Sequence, residues 1–315
     1  MTRFRHVLVW MKPGYLGDAV MATPLLDALA ARSERVTVLA GPSVQELLQD
    51  RSDSLAFLPS GPEQGFWGPV RAGRLLRTLR PDAVIVLNRS FRSALGAWAG
   101  GVPIRAGHRT DARSWLLTHS VPYGDLSPEA ECGLELLRSI VGPVPDCRPS
   151  LRVTEAERAA GLELCRGATV GVQPGARYES KRLPVETSAD SLRKLHAQGV
   201  KVVLLGGREE RATADEVATL AGVPVVNLVG AITLREAMGV LANLNVMAGA
   251  DTGLMHIAAA LGCPTATVFG PNPPEKWAHR HPPHRVLVAP GGDMAKISVE
   301  SLVAACLTSP AIAAL

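Results

Sequence analysis

The sequence predicts an α/β protein of two domains, and three observations carry that prediction. Short apolar segments alternate with segments of helical period along most of the chain, which is typical of parallel sheets covered by helices. The 315 residues are enough for two domains of ordinary size. Hydrophobic residues make up 47% of the chain, but Phe 5, Trp 5 and Tyr 3 are the only aromatic ones. A core of Ala, Val and Leu favours strands buried under helices over an aromatic-rich sandwich.

The elements follow in order. In the first half, the pattern predicts strands at 6–10, 35–40, 55–58, 82–87 and 104–107, with helices at 19–32, 43–50, 69–79 and 91–99. Residues 141–149 include three prolines and lack a helical period, so we predict a linker there. In the second half, the pattern predicts strands at 169–173, 200–205, 225–228, 246–248 and 265–269, with helices at 185–197, 209–220, 234–241 and 253–261.

These elements divide the chain into a first domain over 1–150 and a second over 151–315. Two α/β halves of similar size predict sheets that face each other across a central cleft. In open α/β sheets, ligands bind beyond the carboxyl ends of the strands, so the loops that follow the strands are the candidate sites.

Charge and cysteine content exclude several classes of protein. A net charge of +4 from 33 basic and 29 acidic residues is too small to indicate a nucleic-acid binder. The five cysteines are an odd number without a C-x-x-C pair, which argues against a disulfide framework or a zinc site and favours the cytoplasm. His279, His281 and His284 have no carboxylate or cysteine close by in sequence, so we expect no metal. No apolar run approaches the ~20 residues of a membrane span.

The loop at 11–18 ends the first predicted strand and leads to Asp18 at the head of a helix. Its two glycines do not form the dinucleotide fingerprint or a P-loop. Asp18 could cap the helix, as aspartate commonly does, or could take a proton from a hydroxyl as a general base. An ordinary aspartate pKa near ~3.9 would leave it ionised at neutral pH.

Two loops of the second half are suited to an anion. Lys181 and Arg182 follow a strand end at Gln173, where they could bind phosphate or simply lie on the surface. Residues 249–256 open a helix with a glycine, and the N–H groups of a helix N-terminus bind anions. Asp251 would repel a phosphate, so we expect it to hold a sugar hydroxyl or to cap the helix, which Thr252 could also do. His256, one turn further on, could donate to phosphate or pack in the core.

At these loops the sequence resembles the lipopolysaccharide heptosyltransferases, glycosyltransferase family 9. The likeness spans both halves in the family's order. It is carried by 17–29 with its Gly17-Asp18 start, by 88–95, by Pro174-Gly175-Ala176 with Lys181-Arg182-Leu183-Pro184, and by 251–262 with Phe269-Gly270-Pro271.

The resemblance implies a GT-B fold of two Rossmann-like domains, the first binding the acceptor and the second the nucleotide-sugar donor. It implies inversion at the anomeric carbon with Asp18 as the catalytic base and with neither metal nor cofactor. The implied donor is an ADP-sugar, ADP-heptose, and the acceptor a lipopolysaccharide inner-core sugar, with at most peripheral membrane contact through a lipid-linked acceptor. The implied donor contacts are Lys181, Asp251, Thr252, Gly253, Leu254, His256 and Glu209, with Glu210 as the alternative to Glu209.

The acceptor is expected to contact Lys12, Arg89, Arg92 and Arg109. With Arg105 and Arg113, the arginines of the first half could hold an acidic acceptor, or could form an ordinary solvated surface. Two other functions stay open: a natural-product transferase acting on a small soluble acceptor, and a non-catalytic module that binds a nucleotide-sugar. An NAD-dependent oxidoreductase is disfavoured, because no G-x-G-x-x-G follows the first strand.

Overall fold

The computed structural model describes residues 3–12, 14–61 and 64–308, so Pro13 of the predicted loop lies outside the described residues. The chain divides into two compact units, Met1–Pro149 and Ser150–Leu315. Within the described residues each unit contains one six-stranded sheet, and every strand pairing is parallel. The predicted fold class, α/β with two Rossmann-like domains, is confirmed.

The first unit alternates strands and helices and then adds a helix after its last strand. Its strands are β1 (Phe4–Trp10), β2 (Ser33–Ala40), β3 (Leu55–Pro59), β4 (Ala83–Val86), β5 (Ile104–His108) and β6 (His119–Val121). Its helices are α1 (Leu16–Met21), α2 (Thr23–Ala30), α3 (Pro42–Leu47), α4 (Gly68–Leu79), α5 (Phe91–Ala99) and α6 (Glu129–Val141). The strand order across the sheet is β3-β2-β1-β4-β5-β6.

The second unit begins with a helix and ends with one. Its strands are β7 (Val170–Val172), β8 (Val202–Leu204), β9 (Val226–Asn227), β10 (Val246–Ala250), β11 (Thr265–Phe269) and β12 (Arg285–Val288). Its helices are α7 (Glu155–Cys165), α8 (Val185–Ala197), α9 (Arg211–Ala221), α10 (Leu234–Leu241), α11 (Gly253–Ala260), α12 (Pro274–Trp277) and α13 (Val299–Leu307). The strand order is β12-β11-β10-β7-β8-β9.

Both sheets therefore have the same winding. Counted within each unit, the order is 3-2-1-4-5-6, and the direction of winding reverses between the first and fourth strands. In such sheets the crevice at the reversal point, beyond the carboxyl ends of those two strands, is where ligands bind. The reversal lies between β1 and β4 in the first unit and between β7 and β10 in the second.

The central strands are apolar because helices cover both of their faces. All four residues of β4 and all five of β10 are buried, as expected for the middle of a parallel sheet. On one face of the first sheet, α4 and α5 pack over a cluster that includes Leu8, Trp10 and Val84. In the second unit, α8, α9 and α13 contribute to a cluster that includes Val170 and Leu192. Among the described residues, no helix combines the length and apolar character that crossing a bilayer requires.

The helix predicted over 19–32 is instead two helices, α1 and α2, that meet at Ala22. Pro24 has no N–H, so it cannot donate the helical hydrogen bond to the carbonyl oxygen of Val20. The hydroxyl of Thr23 donates to that oxygen instead, at 2.8 Å. The sequence pattern also left out elements that the structure contains, namely β6, β12, α6, α7, α12 and α13.

Candidate functional site

The loop after β1 and the first turn of α1 lie at the reversal point of the first sheet. Lys12 places its ammonium group 3.5 Å from the ring centroid of Tyr15, which is the N-cap residue of α1. Asp18 lies in the first turn of α1, so the interpretation of Asp18 as the helix cap is wrong. Its carboxylate is instead available for another role, and it lies near the positive N-terminal end of the helix.

The electrostatic surroundings of Asp18 also differ from the sequence expectation. Burial raises the pKa of Asp18 above its ordinary value. The positive charges of Lys12 and Arg89 oppose that shift, and the negative charge of Glu129 adds to it. The expectation of an ordinary pKa is therefore wrong, and the direction of the change is the one that strengthens a carboxylate as a base.

Beyond β4 and β6, three side chains gather at the same edge of the sheet. The guanidinium of Arg89 lies 4.3 Å from the ring centroid of Tyr123, within the range of a cation–π contact. The hydroxyl of Tyr123 donates to Oε2 of Glu129 at 2.6 Å, and burial together with this bond raises the pKa of Tyr123. Sequence reasoning missed Tyr123 and Glu129, because their place beside Arg89 depends on the order of strands in the sheet.

The five arginines considered as a cluster divide into two kinds. Arg113 is fully buried, and its side chain donates to the carbonyl oxygens of His108 at 3.0 Å and Ser90 at 3.1 Å, and also to that of Asn88. Arg105 donates to the carbonyl oxygens of Leu116 and Val102. Burial lowers the pKa of Arg113 to about 10, so it remains a cation at neutral pH. Arg105 and Arg113 thus fix the backbone, whereas Arg92 and Arg109 are exposed and Arg89 is half-buried.

In the second unit, Lys181 and Asp251 form an ion pair at the reversal point between β7 and β10. Nζ of Lys181 lies 2.9 Å from Oδ2 of Asp251 and 3.0 Å from its backbone carbonyl oxygen. The amide of Asn272 donates to the same Oδ2 at 2.6 Å. Asp251 is only 4% exposed, so its charge is compensated inside the protein rather than by water.

His256 contacts the other oxygen of the same carboxylate. Its Nε2 lies 3.4 Å from Oδ1 of Asp251, and its Nδ1 lies 3.3 Å from Nε2 of His279. Burial alone would raise the pKa of Asp251, but the contacts with His256 and Lys181 hold it well below the usual aspartate range. Burial and the neighbouring histidines lower the pKa of His279 to about 2, so that ring is neutral. His256 is itself buried and joins the start of α11 to the segment that follows α12.

The N-terminus of α11 is connected to the rest of the sheet edge by a chain of hydrogen bonds. Thr252 is the N-cap residue, but its side chain makes no capping hydrogen bond, and its hydroxyl donates to Oε1 of Gln173 at 2.5 Å. The amide of Gln173 donates to Glu210 at 2.9 Å, and the N–H of Gly207 donates to the same carboxylate at 2.8 Å. Of the two residues expected to cap α11, Thr252 is the N-cap but makes no capping hydrogen bond with its side chain, and the Asp251 carboxylate binds Lys181 and Asn272 instead.

These contacts separate the two glutamates that the sequence left open. Glu210 is buried in the network, and burial raises its pKa, whereas Glu209 is exposed. Gly253 and Leu254 form the first turn of α11 and are half-buried at its open end. The first N–H groups of a helix have no partner within the helix, so this end presents donors and a positive dipole beside the Lys181 ammonium.

Each unit gathers part of its predicted site at its own reversal point, whereas Arg92, Arg109 and Glu209 are exposed on other elements. Lys12, Asp18 and Arg89 lie together in the first unit, and Lys181, Asp251, Thr252 and His256 lie together in the second. Across residues 3–12, 14–61 and 64–308, no group of three or more His, Cys, Asp or Glu side chains is arranged to hold a metal ion. This geometry defines a Rossmann-like protein that carries a carboxylate and basic groups at the strand ends of its first sheet, and a lysine–aspartate pair beside a helix N-terminus at those of its second.

Comparison with known proteins identifies the family. The family described as glycosyltransferase family 9 (heptosyltransferase) matches residues 70–302. The chain belongs to glycosyltransferase family 9, and it is a glycosyltransferase, an enzyme that transfers a sugar. The predicted family and the predicted class of enzyme are thus confirmed.

One curated relative and two solved structures show the extent of the similarity. Lipopolysaccharide heptosyltransferase 2 of Escherichia coli K12 is 28% identical over 287 residues, which cover 84% of this chain and 82% of the relative. A family 9 glycosyltransferase structure from Veillonella parvula aligns with a TM-score of 0.85 at 17% identity, covering 100% of this chain and 99% of that one. The structure of the E. coli ADP-heptose lipopolysaccharide heptosyltransferase II aligns with a TM-score of 0.77 at 24% identity, covering 96% and 98%. Both structures share the fold over nearly the whole chain.

Proposed function

We propose that the enzyme transfers heptose from ADP-heptose to a hydroxyl group of a lipopolysaccharide inner-core sugar, with inversion and without a metal ion. The names of the relatives support the donor and the acceptor, since they are lipopolysaccharide heptosyltransferases and one is named for ADP-heptose. The observation that carries the proposal is the pairing of Lys181 with Asp251 at the open N-terminus of α11.

In this proposal the second unit binds the donor. The diphosphate lies against the N–H groups of Thr252, Gly253 and Leu254, where the helix dipole favours negative charge. Lys181 adds a positive charge at the same place, and Asp251, with His256 and Asn272, fixes its position. Of the two glutamates, the buried Glu210 accepts from Gln173 and so orients the hydrogen bonds that lead to Thr252. The exposed Glu209 reaches the donor ribose.

The first unit binds the acceptor and supplies the base. The carboxylate of Asp18 takes the proton from the acceptor hydroxyl, whose oxygen then bonds to the anomeric carbon of the heptose. The bond from that carbon to the ADP oxygen breaks, and its electron pair stays on the diphosphate. Lys181 and the start of α11 stabilise the charge that grows there. Lys12, Arg89, Arg92 and Arg109 hold the acidic groups of the acceptor.

The reducing cytoplasm is the proposed place of this reaction. Cys147, Cys165, Cys263 and Cys306 are free thiols, and Cys147 is exposed. Free thiols are typical of a reducing compartment.

The test is transfer by the purified enzyme, with the product identified by mass. ADP-heptose is offered with a lipid-linked inner-core acceptor and, in parallel, with small soluble acceptors. Asp18→Asn should lower kcat by at least ~100-fold, because general-base catalysis contributes about that much. Asp53→Asn, an exposed aspartate of the same unit, should leave the rate unchanged. Near wild-type transfer by a folded Asp18→Asn protein would exclude Asp18 as the base, and turnover of small acceptors alone would favour a natural-product transferase.

A further inference from the structure

The first unit exposes a group of large aromatic side chains along α5, the helix that begins two residues after Arg89 of the candidate site. Trp98 on α5 is 51% exposed and Trp115, in the 3₁₀ turn Ser114–Leu116, is 67% exposed. Their ring centroids are 6.5 Å apart, and the ring of Phe91 lies 6.3 Å from that of Trp115. We call Phe91, Trp98 and Trp115 the aromatic face. Tryptophan is largely buried on average, so two adjacent rings in solvent indicate a surface that binds something.

The same part of the chain carries most of its excess positive charge. Residues 64–118 contain nine arginines, no lysine and two acidic residues, Asp82 and Asp111. The rest of the chain then has 24 basic and 27 acidic residues, a small negative excess. On α4, the arginines 71, 74 and 77 are exposed, and so is Arg92 on α5. The net charge of +4 therefore comes from this one region.

The arginines of α4 and the aromatic face of α5 belong to one rigid surface. The two helices approach so closely that a Cβ on Gly96 would lie 2.9 Å from the Cβ of Ala72. Near the C-terminal end of α5, Nη2 of Arg77 donates to the carbonyl oxygen of Ala99 at 2.8 Å, next to Trp98. Because the two helices pack this closely, they cannot slide past each other. The arginines of α4 and the aromatic rings of the face therefore keep fixed relative positions.

This surface begins at the edge of the sheet that holds Asp18. Phe91 is two residues beyond Arg89, and its N–H donates to Oδ2 of Asp111 at 2.7 Å. The buried Arg113 ties the loop after β4 to the end of β5 and so fixes the start of α5. The aromatic face therefore extends from the acceptor end of the proposed site without a break.

We propose that the aromatic face and the arginines at 71, 74 and 77 dock the enzyme reversibly on an anionic phospholipid bilayer. Tryptophan rings favour the headgroup region of a bilayer, and arginine pairs with phosphate. Basic residues near an anionic leaflet add to the attraction. A second copy of the chain would bring like charges together, which disfavours it as the occupant. The inference rests on the proposed function, since a bilayer is where a lipid-linked acceptor lies.

The experiment measures binding of the full chain to vesicles, with neither donor nor acceptor present. Vesicles of phosphatidylcholine with phosphatidylglycerol should sediment the protein, and vesicles of phosphatidylcholine alone should not. Arg71→Gln with Arg74→Gln should weaken binding about 30-fold, from roughly a fivefold loss for each charge. Trp98→Ser with Trp115→Ser should reduce the quenching of tryptophan emission by brominated lipid, with Trp67 at the start of α4 as the exposed tryptophan that remains in the first unit. Arg193→Gln and Leu162→Ala, exposed residues of the second unit, serve as matched controls and should bind like the wild type.

The outcomes separate this proposal from the proposed function. Asp18→Asn should bind vesicles normally while it fails to transfer sugar, and the two-tryptophan variant should keep its wild-type rate on a soluble acceptor fragment. Equal binding to both kinds of vesicle, or unchanged binding by the two-tryptophan variant, would overturn the proposal. So would a dimer in sedimentation that the two-tryptophan variant dissociates, because that would assign the aromatic face to a second copy.

Discussion

Lys181 and Asp251 lie 70 residues apart in the sequence, yet the lysine ammonium contacts both the side chain and the backbone carbonyl oxygen of the aspartate. The double contact holds a positive charge at the first turn of α11. The carboxylate that precedes this helix would by itself repel an anion. Its contacts with Lys181 and His256 offset that repulsion. The sequence alone did not explain how an anion could bind next to Asp251.

Removing Lys181 should affect both stability and donor binding. Lys181→Met leaves the buried carboxylate of Asp251 without its cation, so the free energy of unfolding should fall by about 3 kcal/mol. Urea unfolding measures this loss, and calorimetry with ADP measures the weaker binding. Lys194→Met breaks an exposed pair with Glu300 and should cost less than ~1 kcal/mol. Equal losses in the two variants would contradict a buried pair, and unchanged ADP affinity would remove Lys181 from the donor site.

The pH at which sugar transfer falls off on the acidic side should depend on the negative charge of Glu129. That charge helps to raise the pKa of Asp18, and the base must be ionised to act. Glu129→Gln removes the charge, so the pKa of Asp18 falls and the acidic limb of kcat/KM moves to lower pH. The matched variant Glu131→Gln lies in the same turn of α6 and should leave the limb in place. A limb that moves to higher pH in Glu129→Gln would show that the two carboxylates do not interact in this way.

The ionised carboxylate of Asp18 should also lower the free energy of unfolding at neutral pH. Its pKa is higher in the folded protein than in the unfolded chain, so the folded state binds the proton more tightly. Stability due to this group is then lost as the pH rises from the ordinary aspartate pKa through the raised one. Asp18→Asn does not ionise, so its Tm should exceed that of the wild type at pH 7, and the difference should shrink below the ordinary pKa. A lower Tm at pH 7 would contradict the desolvation of the carboxylate.

A glycine contact between helices gives a prediction about packing in the second unit. A Cβ on Gly161 of α7 would overlap the backbone of Gly239 in α10. Gly161→Ala should therefore lower the free energy of unfolding by about 2 to 3 kcal/mol, as overpacking does. Gly133→Ala, in the middle of α6, would place its Cβ 3.7 Å from Leu25, an ordinary contact, and should stabilise by up to ~1 kcal/mol. A stabilised Gly161→Ala protein would mean that α7 and α10 can move apart at little cost.

Local sequence signals predicted several elements to the residue. The helices Phe91–Ala99, Val185–Ala197 and Leu234–Leu241 have the predicted bounds. Two of them start at residues whose side chains accept from the first turn, Ser90 for α5 and Thr233 for α10. Caps and apolar period act within a few residues, so they can be recognised in a single sequence.

The partners within the site could not be predicted in the same way. Gln173 lies 79 residues from Thr252 and 37 from Glu210, and it contacts both because β7 lies between β10 and β8 in the sheet. Asn272 reaches Asp251 from the loop after β11 for the same reason. The pKa of Asp18 depends on burial and on Glu129, which only the fold brings near. The resemblance to family 9 indicated which residues matter, and the strand order explains how they act on each other.

The identical winding of the two sheets has a consequence for how such enzymes diversify. Each unit has its own sheet, its own core and its own reversal point, and the proline-rich stretch between α6 and α7 is the junction in the chain. The outer strands β3, β9 and β12 lie away from the reversal points, so insertions there should leave the chemistry untouched, whereas β6 leads to Tyr123 and Glu129 beside the site. If the second unit selects the donor and the first the acceptor, as proposed above, recombination at the junction would join one lineage's donor preference to another's acceptor preference.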